Sequence, residues 1–355
     1  MHFTRKKTVE KDFVGRMSCC WLVVVLAVFA TSCRNNVHLE GQSGNTGAVS
    51  TFMGLERPPQ EPPYALIPVV KDVVVADFFD FIDTLIRRND TLAYKLSENL
   101  LLRANPWILD TLVSTDYYYQ QSRGNFVYDQ RTMVVLKAGD TLLVPGPKTG
   151  AALVEKMVKS SIDINIPAFE MRILEGDSVL FTIPVRVGKN QKKYLKMAKH
   201  TVDLRTRTGS GEIFRVNRNP IFFDPVTGEK FDFTKRDDRQ ITHMPQIPWL
   251  ECSINGQRYG QMIHPTTNPR TLGKAASNGC VGVSEADAWR VYAYAPVGTP
   301  VLIRYDLKKV NELGDTIQYK DIYRIRSGRI AAGMDLGAVL YAQKATGICW
   351  CETIF

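Results

Sequence analysis

From Ile162 onward the chain alternates apolar and polar residues with a period of two. Ile162, Ile164 and Ile166 stand against Asp163 and Asn165, and then Phe169, Met171 and Ile173 stand against Glu170 and Arg172. Successive side chains of a strand point to opposite faces, so this pattern demands strands with one face buried. Glu175-Gly176-Asp177 is a turn into a further strand through Val179 to Val187. A meander of this kind commits the second half of the chain to a sheet. With 355 residues there is room for a second domain, and 45% apolar content at ordinary charge density excludes disorder of the whole chain.

Ahead of the meander the period changes. Phe78, Phe79, Ile82 and Ile86, then Leu92, Leu96, Leu100 and Leu101, recur at helical intervals. Two helices joined near Arg88-Asn89-Asp90 are expected, with Asn89 or Asp90 as a cap and Asn105-Pro106 ending the second. Tyr117-Tyr118-Tyr119 reads as a buried or partly buried aromatic patch ahead of a sugar-stacking one. Val134–Leu136 and Thr141–Val144 around Gly139-Asp140 read as a short β-hairpin with a faint similarity to the glycan-binding LysM module. This small, mostly helical domain is placed at 64–150.

The first residues carry Arg5, Lys6, Lys7, Lys11 and Arg16 ahead of an apolar run from Cys19 to Ala30 that is short for a bilayer span. They read as a secretory signal over 1–32. Ala30-Thr31-Ser32-Cys33 has the small-residue pattern of a lipoprotein processing site, which makes Cys33 the expected lipidation residue and a membrane the expected partner through that anchor. Removing the signal takes away five basic and two acidic residues and lowers the formal charge from +9 to +6. Gly41, Gly44 and Gly47, then Pro58-Pro59 and Pro62-Pro63, make 33–63 a tether. A basic exported body suits an anionic cell envelope, and no Lys/Arg run interleaved with aromatics points to nucleic acid.

Cysteine usage narrows the chemistry. Two of seven cysteines leave with the signal and Cys33 is spoken for by lipid, which leaves Cys252, Cys280, Cys349 and Cys351. Their spacings give no disulfide framework, and Cys349-Trp350-Cys351 lacks the spacing of a zinc knuckle, so no metal or other cofactor is expected. Cys252 reads as core. Cys280 lies in Ser277-Asn278-Gly279-Cys280-Val281-Gly282-Val283, sixteen residues after His264. A thiol nucleophile needs a base near in space and a pliant neighbour whose backbone N–H groups can face a developing oxyanion; Gly279 provides that pliancy. His243, in Thr242-His243-Met244-Pro245, is an alternative base or a substrate contact. Ser284-Glu285-Ala286-Asp287 has a capping pattern, so a helix running to about Tyr294 should follow the cysteine.

These residues resemble the L,D-transpeptidase catalytic domain (YkuD-type), whose signature is an Ile-His pair followed by Ser/Thr-His-Gly-Cys-apolar-Asn/Arg. Ile263-His264 and Ser277–Gly282 match it, supported by Thr206-Arg207-Thr208-Gly209, Met244-Pro245 and Gly298-Thr299-Pro300-Val301. The resemblance covers about 160–306. It implies an α+β chain: a mainly β catalytic domain of sandwich or barrel type over 155–306, with a short helix after the cysteine loop, preceded by the helical domain and followed by an extension over 307–355. It also implies peptidoglycan stem peptides as partners, Cys280 as nucleophile, His264 as base, and Gly279 and Cys280 N–H groups as oxyanion donors. Ser277, Asn278, His243 and Arg270 would line the substrate, with Lys274 beside them. Three departures fall inside the signature: Asn278 replaces a second histidine, Gly282 replaces Asn or Arg, and Pro265 follows His264. The reactions implied are release of D-alanine with formation of a 3-3 crosslink, trimming by a carboxypeptidase, or attachment of a protein to the wall. A wall-binding lipoprotein without activity is the reading from another class. Cys280 is expected to be an accessible, low-pKa thiol in a protein of the cell envelope.

Overall fold

The computed structural model describes residues 63–195, 200–223, 227–236, 238–311 and 313–325. The expected signal, Cys33, the tether up to residue 62, and Cys349 and Cys351 lie outside them. The centre is an eight-stranded mixed sheet built from Ser160–Asn165 (β1), Glu170–Glu175 (β2), Ser178–Pro184 (β3), Gly209–Asn217 (β4), Trp249–Ile254 (β5), Met262–Pro265 (β6), Val281–Val283 (β7) and Pro300–Arg304 (β8). Spatial order is β7-β6-β5-β4-β8-β1-β2-β3. The expected meander is β1-β2-β3, antiparallel throughout, with Ile162 opposite Ile173 and Ile164 opposite Met171. Two pairs are parallel, β8 with β1 and β6 with β7.

All six residues of β1 are buried, because it lies in the interior of the sheet with both faces covered. Its isoleucines join Ile213, Leu250, Ile263, Val281 and Ile303 in the core. On the other face Asp163 takes Arg172 from β2 and Arg304 from β8, the latter through Nε at 2.6 Å. One buried carboxylate thereby ties three neighbouring strands, a pairing that a lone buried charge would require.

The helices are Phe78–Arg88 (α1), Glu98–Ala104 (α2), Pro106–Ser114 (α3), Tyr117–Ser122 (α4), Pro147–Val158 (α5) and Glu285–Tyr294 (α6). The second expected helix starts later than its leucine spacing suggests. Leu92 and Leu96 precede it, and its N-cap is Ser97, whose hydroxyl accepts from Leu100 N; Asn89 caps the C-terminus of α1 instead, its Nδ2 donating to Leu85 O. Pro106 and Pro147 each open a helix instead of only ending what precedes, since the missing N–H of proline costs nothing in a first turn. The expected hairpin around Gly139-Asp140 is corrected as well. Its turn exists, with Asp140 N donating to Lys137 O and Gly139 at φ +96°. Its two arms, however, pair outward, 134–136 with 73–74 and 141–144 with 65–68, because the chain from Ala65 lies alongside and Val69 closes against both Gly139 and Asp140.

All described residues fall in one compact unit. Helix α6 begins at Ser284, which caps Asp287 N as the sequence pattern requires, and lies among α2 and α3. Trp289 and Tyr292 are fully buried against Phe79 at 6.1 and 5.6 Å between ring centres. From α2, Asn99 donates to Tyr292 O, while Arg103 bonds Glu175, Ser160 and Tyr294 O and covers the Tyr294 ring. Helices α4 and α6 meet N-terminus to N-terminus. Asp116 accepts from Tyr118 N and Tyr119 N of its own helix and from Ala286 N across the joint, and Glu285 accepts in return from Tyr117 N. Two carboxyl groups that each accept from the first turn of the facing helix are a reciprocal cap.

Candidate active site

Strands β6 and β7 form the end of the sheet where the expected pair of His264 and Cys280 lies. Their parallel register sets Ile263 beside Val281 and His264 beside Gly282. Ile263, Val281 and Val283 point into the core. Alternation therefore sends His264, Cys280 and Gly282 to the opposite face, with imidazole and thiol as diagonal neighbours.

The imidazole is fixed on two sides. Its ring stacks on Trp249 of β5, 4.8 Å between centres at 29°, and its Nδ1 lies 2.9 Å from Pro265 O. A carbonyl only accepts, so Nδ1 carries the proton and Nε2 is left as the acceptor. Burial pushes His264 down to about 4; the Pro265 carbonyl opposes this and the Arg186 charge adds to it. The proline that departs from the signature thus still supplies the orienting carbonyl.

Cys280 is half-buried, with its Sγ 3.8 Å from Gly260 O. Burial pushes its thiol above the ordinary value, against the backbone hydrogen bond of Met262 and the Arg186 charge. The expected low-pKa thiol is therefore corrected: the pair rests as thiol and neutral imidazole, since both charged forms are disfavoured by the same lack of water.

A closed set of hydrogen bonds shapes the loop before the cysteine. Ser277 Oγ donates to Cys280 O at 2.6 Å and accepts from Gly279 N at 3.2 Å. Gly279 holds φ +118°, where a side chain is strained, and its carbonyl accepts from Thr206 Oγ1 at 2.9 Å. Thr206 Oγ1 also accepts from Gly188 N, and Tyr323 OH donates to Gly188 O while accepting from Thr206 N. The expected oxyanion donor Gly279 N is thus engaged by Ser277, whereas Cys280 N carries no such bond among the described residues.

The remaining expected residues are distributed differently. Asn278 is exposed on the loop. Arg270 is exposed in the turn at 269–271, near Asp238. His243 sits in a two-stranded hairpin, 233–235 with 241–243, between the rings of Phe233 at 3.8 Å and Tyr128 at 5.4 Å. That hairpin is fastened to the segment after His264: Arg236 donates to Asn268 Oδ1, and Tyr118 of α4 bridges the two, its OH donating to Thr267 O and bonding Thr242 Oγ1 at 3.2 Å. Cys252 is core, buried on β5 with its thiol pushed up to about 12 by that burial, and it and Cys280 are both free thiols.

Sequence reasoning missed Trp249, Arg186 and Tyr323. Trp249 carried a signal, since it opens an alternating strand two residues after Ile247. Arg186 is the polar position between buried Val185 and Val187, which marks it as facing away from the core but not what it meets.

A mixed sheet that presents a thiol diagonal to an oriented, neutral imidazole on one face has the layout of a cysteine acyl-transfer domain. Residues 159–303 match the family model described as the L,D-transpeptidase catalytic domain (YkuD). Among curated proteins, the chain is 27% identical over 168 residues to a candidate L,D-transpeptidase YkuD of Bacillus licheniformis, covering 47% of this chain and 76% of that one. The corresponding Bacillus subtilis protein is 28% identical over 173 residues, with 47% and 77% covered. Among solved structures, an L,D-transpeptidase from Xylanimonas cellulosilytica aligns at 16% identity and TM-score 0.31 over 69% of this chain and all of that chain. One from Mycobacterium smegmatis aligns at 14% and 0.29, over 41% of this chain and 58% of that one.

Proposed function

We propose that the protein is a cysteine-dependent L,D-transpeptidase acting on peptidoglycan stem tetrapeptides. The observation that carries this is the single face on which β6 and β7 hold His264, with Nε2 as acceptor, diagonal to Cys280. The thiol proton passes to His264 Nε2 as Sγ bonds the carbonyl carbon of the third stem residue, and the carbonyl oxygen becomes an oxyanion facing Cys280 N–H. Because thiol and imidazole both rest neutral, the proton moves as the S–C bond forms, not in a prior step. Collapse of the oxyanion breaks the C–N bond, and D-alanine leaves with the proton from His264. An amine of a neighbouring stem then attacks the thioester, giving its proton to the imidazole, and the sulfur departs and recovers that proton. The product is a 3-3 crosslink; water in place of the amine gives a trimmed tripeptide.

Asn278, exposed beside the nucleophile, meets the substrate in this reading, and Arg270 lies further out on the rim. The signal over 1–32 and lipid on Cys33 would hold the body at the cell envelope. Incorporation of labelled fatty acid in the full chain, lost in Cys33→Ala, tests that part. The activity itself is tested by incubating detergent-solubilised full chain and its Cys280→Ala form with disaccharide-tetrapeptide. Mass loss of one D-alanine with a crosslinked dimer establishes the transpeptidase, and loss with tripeptide alone establishes a carboxypeptidase. An unchanged substrate with folded protein replaces both by the inactive wall-binding reading.

A further inference from the structure

Gly282 is one of the signature departures, and the structure gives it a reason. Its backbone exchanges two hydrogen bonds with Arg186, N to O at 2.9 Å and O to N at 2.8 Å, so that His264, Gly282 and Arg186 stand in one row across the sheet. A Cβ at position 282 would lie 2.4 Å from Arg186 Cγ and 2.7 Å from its Cδ. No real side chain tolerates that, and the glycine is not there for backbone freedom, because its φ is not in the left-handed region. The Arg186 stem crosses the strand where a residue 282 side chain would otherwise stand.

Beyond Gly282 the guanidinium divides between the two ends of the connection that joins base to nucleophile. Nη1 donates to Thr266 Oγ1 at 2.9 Å, two residues after His264, and to Thr271 Oγ1 at 3.1 Å. Nη2 donates to Ala276 O at 2.9 Å, four residues before Cys280. A planar fork with fixed donors is suited to such a clamp, and an ammonium is not. The same charge lies close enough to Cys280 and His264 to favour thiolate over thiol and imidazole over imidazolium.

We infer that Arg186 is the positioning residue of this site: it clamps the loop between His264 and Cys280 and supplies the fixed positive charge of the pair, and Gly282 is glycine to let it pass. This rests on Cys280 being the nucleophile, and goes beyond it by assigning the cation to a residue outside the signature. Cys280 is faced by Arg186, by the neutral His264 and, through the sheet, by the Cys252 thiol.

The test is the rate of Cys280 alkylation by iodoacetamide as a function of pH, followed in full chain by mass spectrometry of the peptide that carries Cys280 so that the other cysteines do not count, alongside turnover. Arg186→Met should raise the midpoint and slow alkylation about tenfold at neutral pH, a neighbouring charge being worth on the order of one unit. Arg186→Lys should keep the midpoint near that of the parent while kcat falls with little change in KM. Gly282→Ala should reproduce Arg186→Met in the parent but have no further effect in an Arg186→Ala background, which decides the matter even where Arg186→Met folds poorly. An unchanged midpoint in folded Arg186→Met, or Gly282→Ala harm that persists without Arg186, overturns the inference. A shifted midpoint in a protein that turns over no stem peptide upholds Arg186 and removes the transpeptidase reading.

Discussion

Two places where ionisable groups are withdrawn from water, the joint of α4 with α6 and the β6–β7 face, differ in their partners. At the joint of α4 and α6, Asp116 is bonded at both carboxylate oxygens, and Glu285 accepts from Tyr117 N and Gln130 Nε2. On the β6–β7 face, the imidazole spends only its Nδ1 on Pro265, and the thiol has a long contact to Gly260 O and the backbone hydrogen bond of Met262. Burial raises the Glu285 carboxyl to about 8, the Asp116 charge adding to the effect, and it lowers His264 to about 4. A large shift therefore marks both places, and what separates them is unspent hydrogen-bonding capacity next to a thiol. The saturated pair is a joint; the unsaturated one has an atom left for a substrate.

The strongest way to break this contrast is to remove the groups. Cys280→Ala should abolish turnover, by at least about 10³-fold, with the thermal unfolding midpoint unchanged, and His264→Ala should come close to it. His243→Ala, held between two rings in its hairpin, should change turnover by less than about threefold; a larger loss than in His264→Ala would reassign the base.

Next is Glu285→Gln, read by urea unfolding against pH. The folded carboxyl titrates above its unfolded value of 4.5, so its proton favours the folded state fully below pH 4.5 and that contribution is lost as pH rises toward 8. The glutamine variant keeps an acceptor for Tyr117 N and should gain on the parent over that window, by a few kcal/mol at its upper end. A pH-independent difference would show that the carboxyl is charged throughout.

A smaller effect is expected at Trp249. Trp249→Ala lets water reach the imidazole, so the acid limb of turnover should move up from about pH 4 toward 6.5 while its shape is kept. Smallest is Tyr323→Phe, which leaves Thr206 N and Gly188 O short of a partner two steps from the Gly279 carbonyl. It should cost about 1–2 kcal/mol of stability and lower kcat severalfold without raising KM.

Much of this could be read from the chain where the physics is local. The alternation from Ile162 gives the bodies of β1 and β2, though Ile166 and Phe169 fall in the turn between them, and Ser284 with Asp287 gives the start of α6. Leu92 and Leu96 mislead because an apolar residue in a turn packs on the same core as one in a helix. Pro106 hides the start of α3 because proline both ends and begins helices. The site was legible as a His–Cys spacing, yet its electrostatics was not. Whether a thiol sits low or high depends on how much water reaches it, and that is set by Trp249, Arg186 and Gly260, which meet the pair only across the sheet.

Arg103 has a consequence for inheritance. Its guanidinium leaves α2 and ends among Glu175, Ser160 and Tyr294, three residues of the segment that matches the family. A gene fragment cut at residue 159 would encode Trp289 and Tyr292 without Phe79 against them and Glu175 without its counterion. The segment that matches the family and its helical companion are in this chain one heritable piece: a recombination that moves one must carry the other.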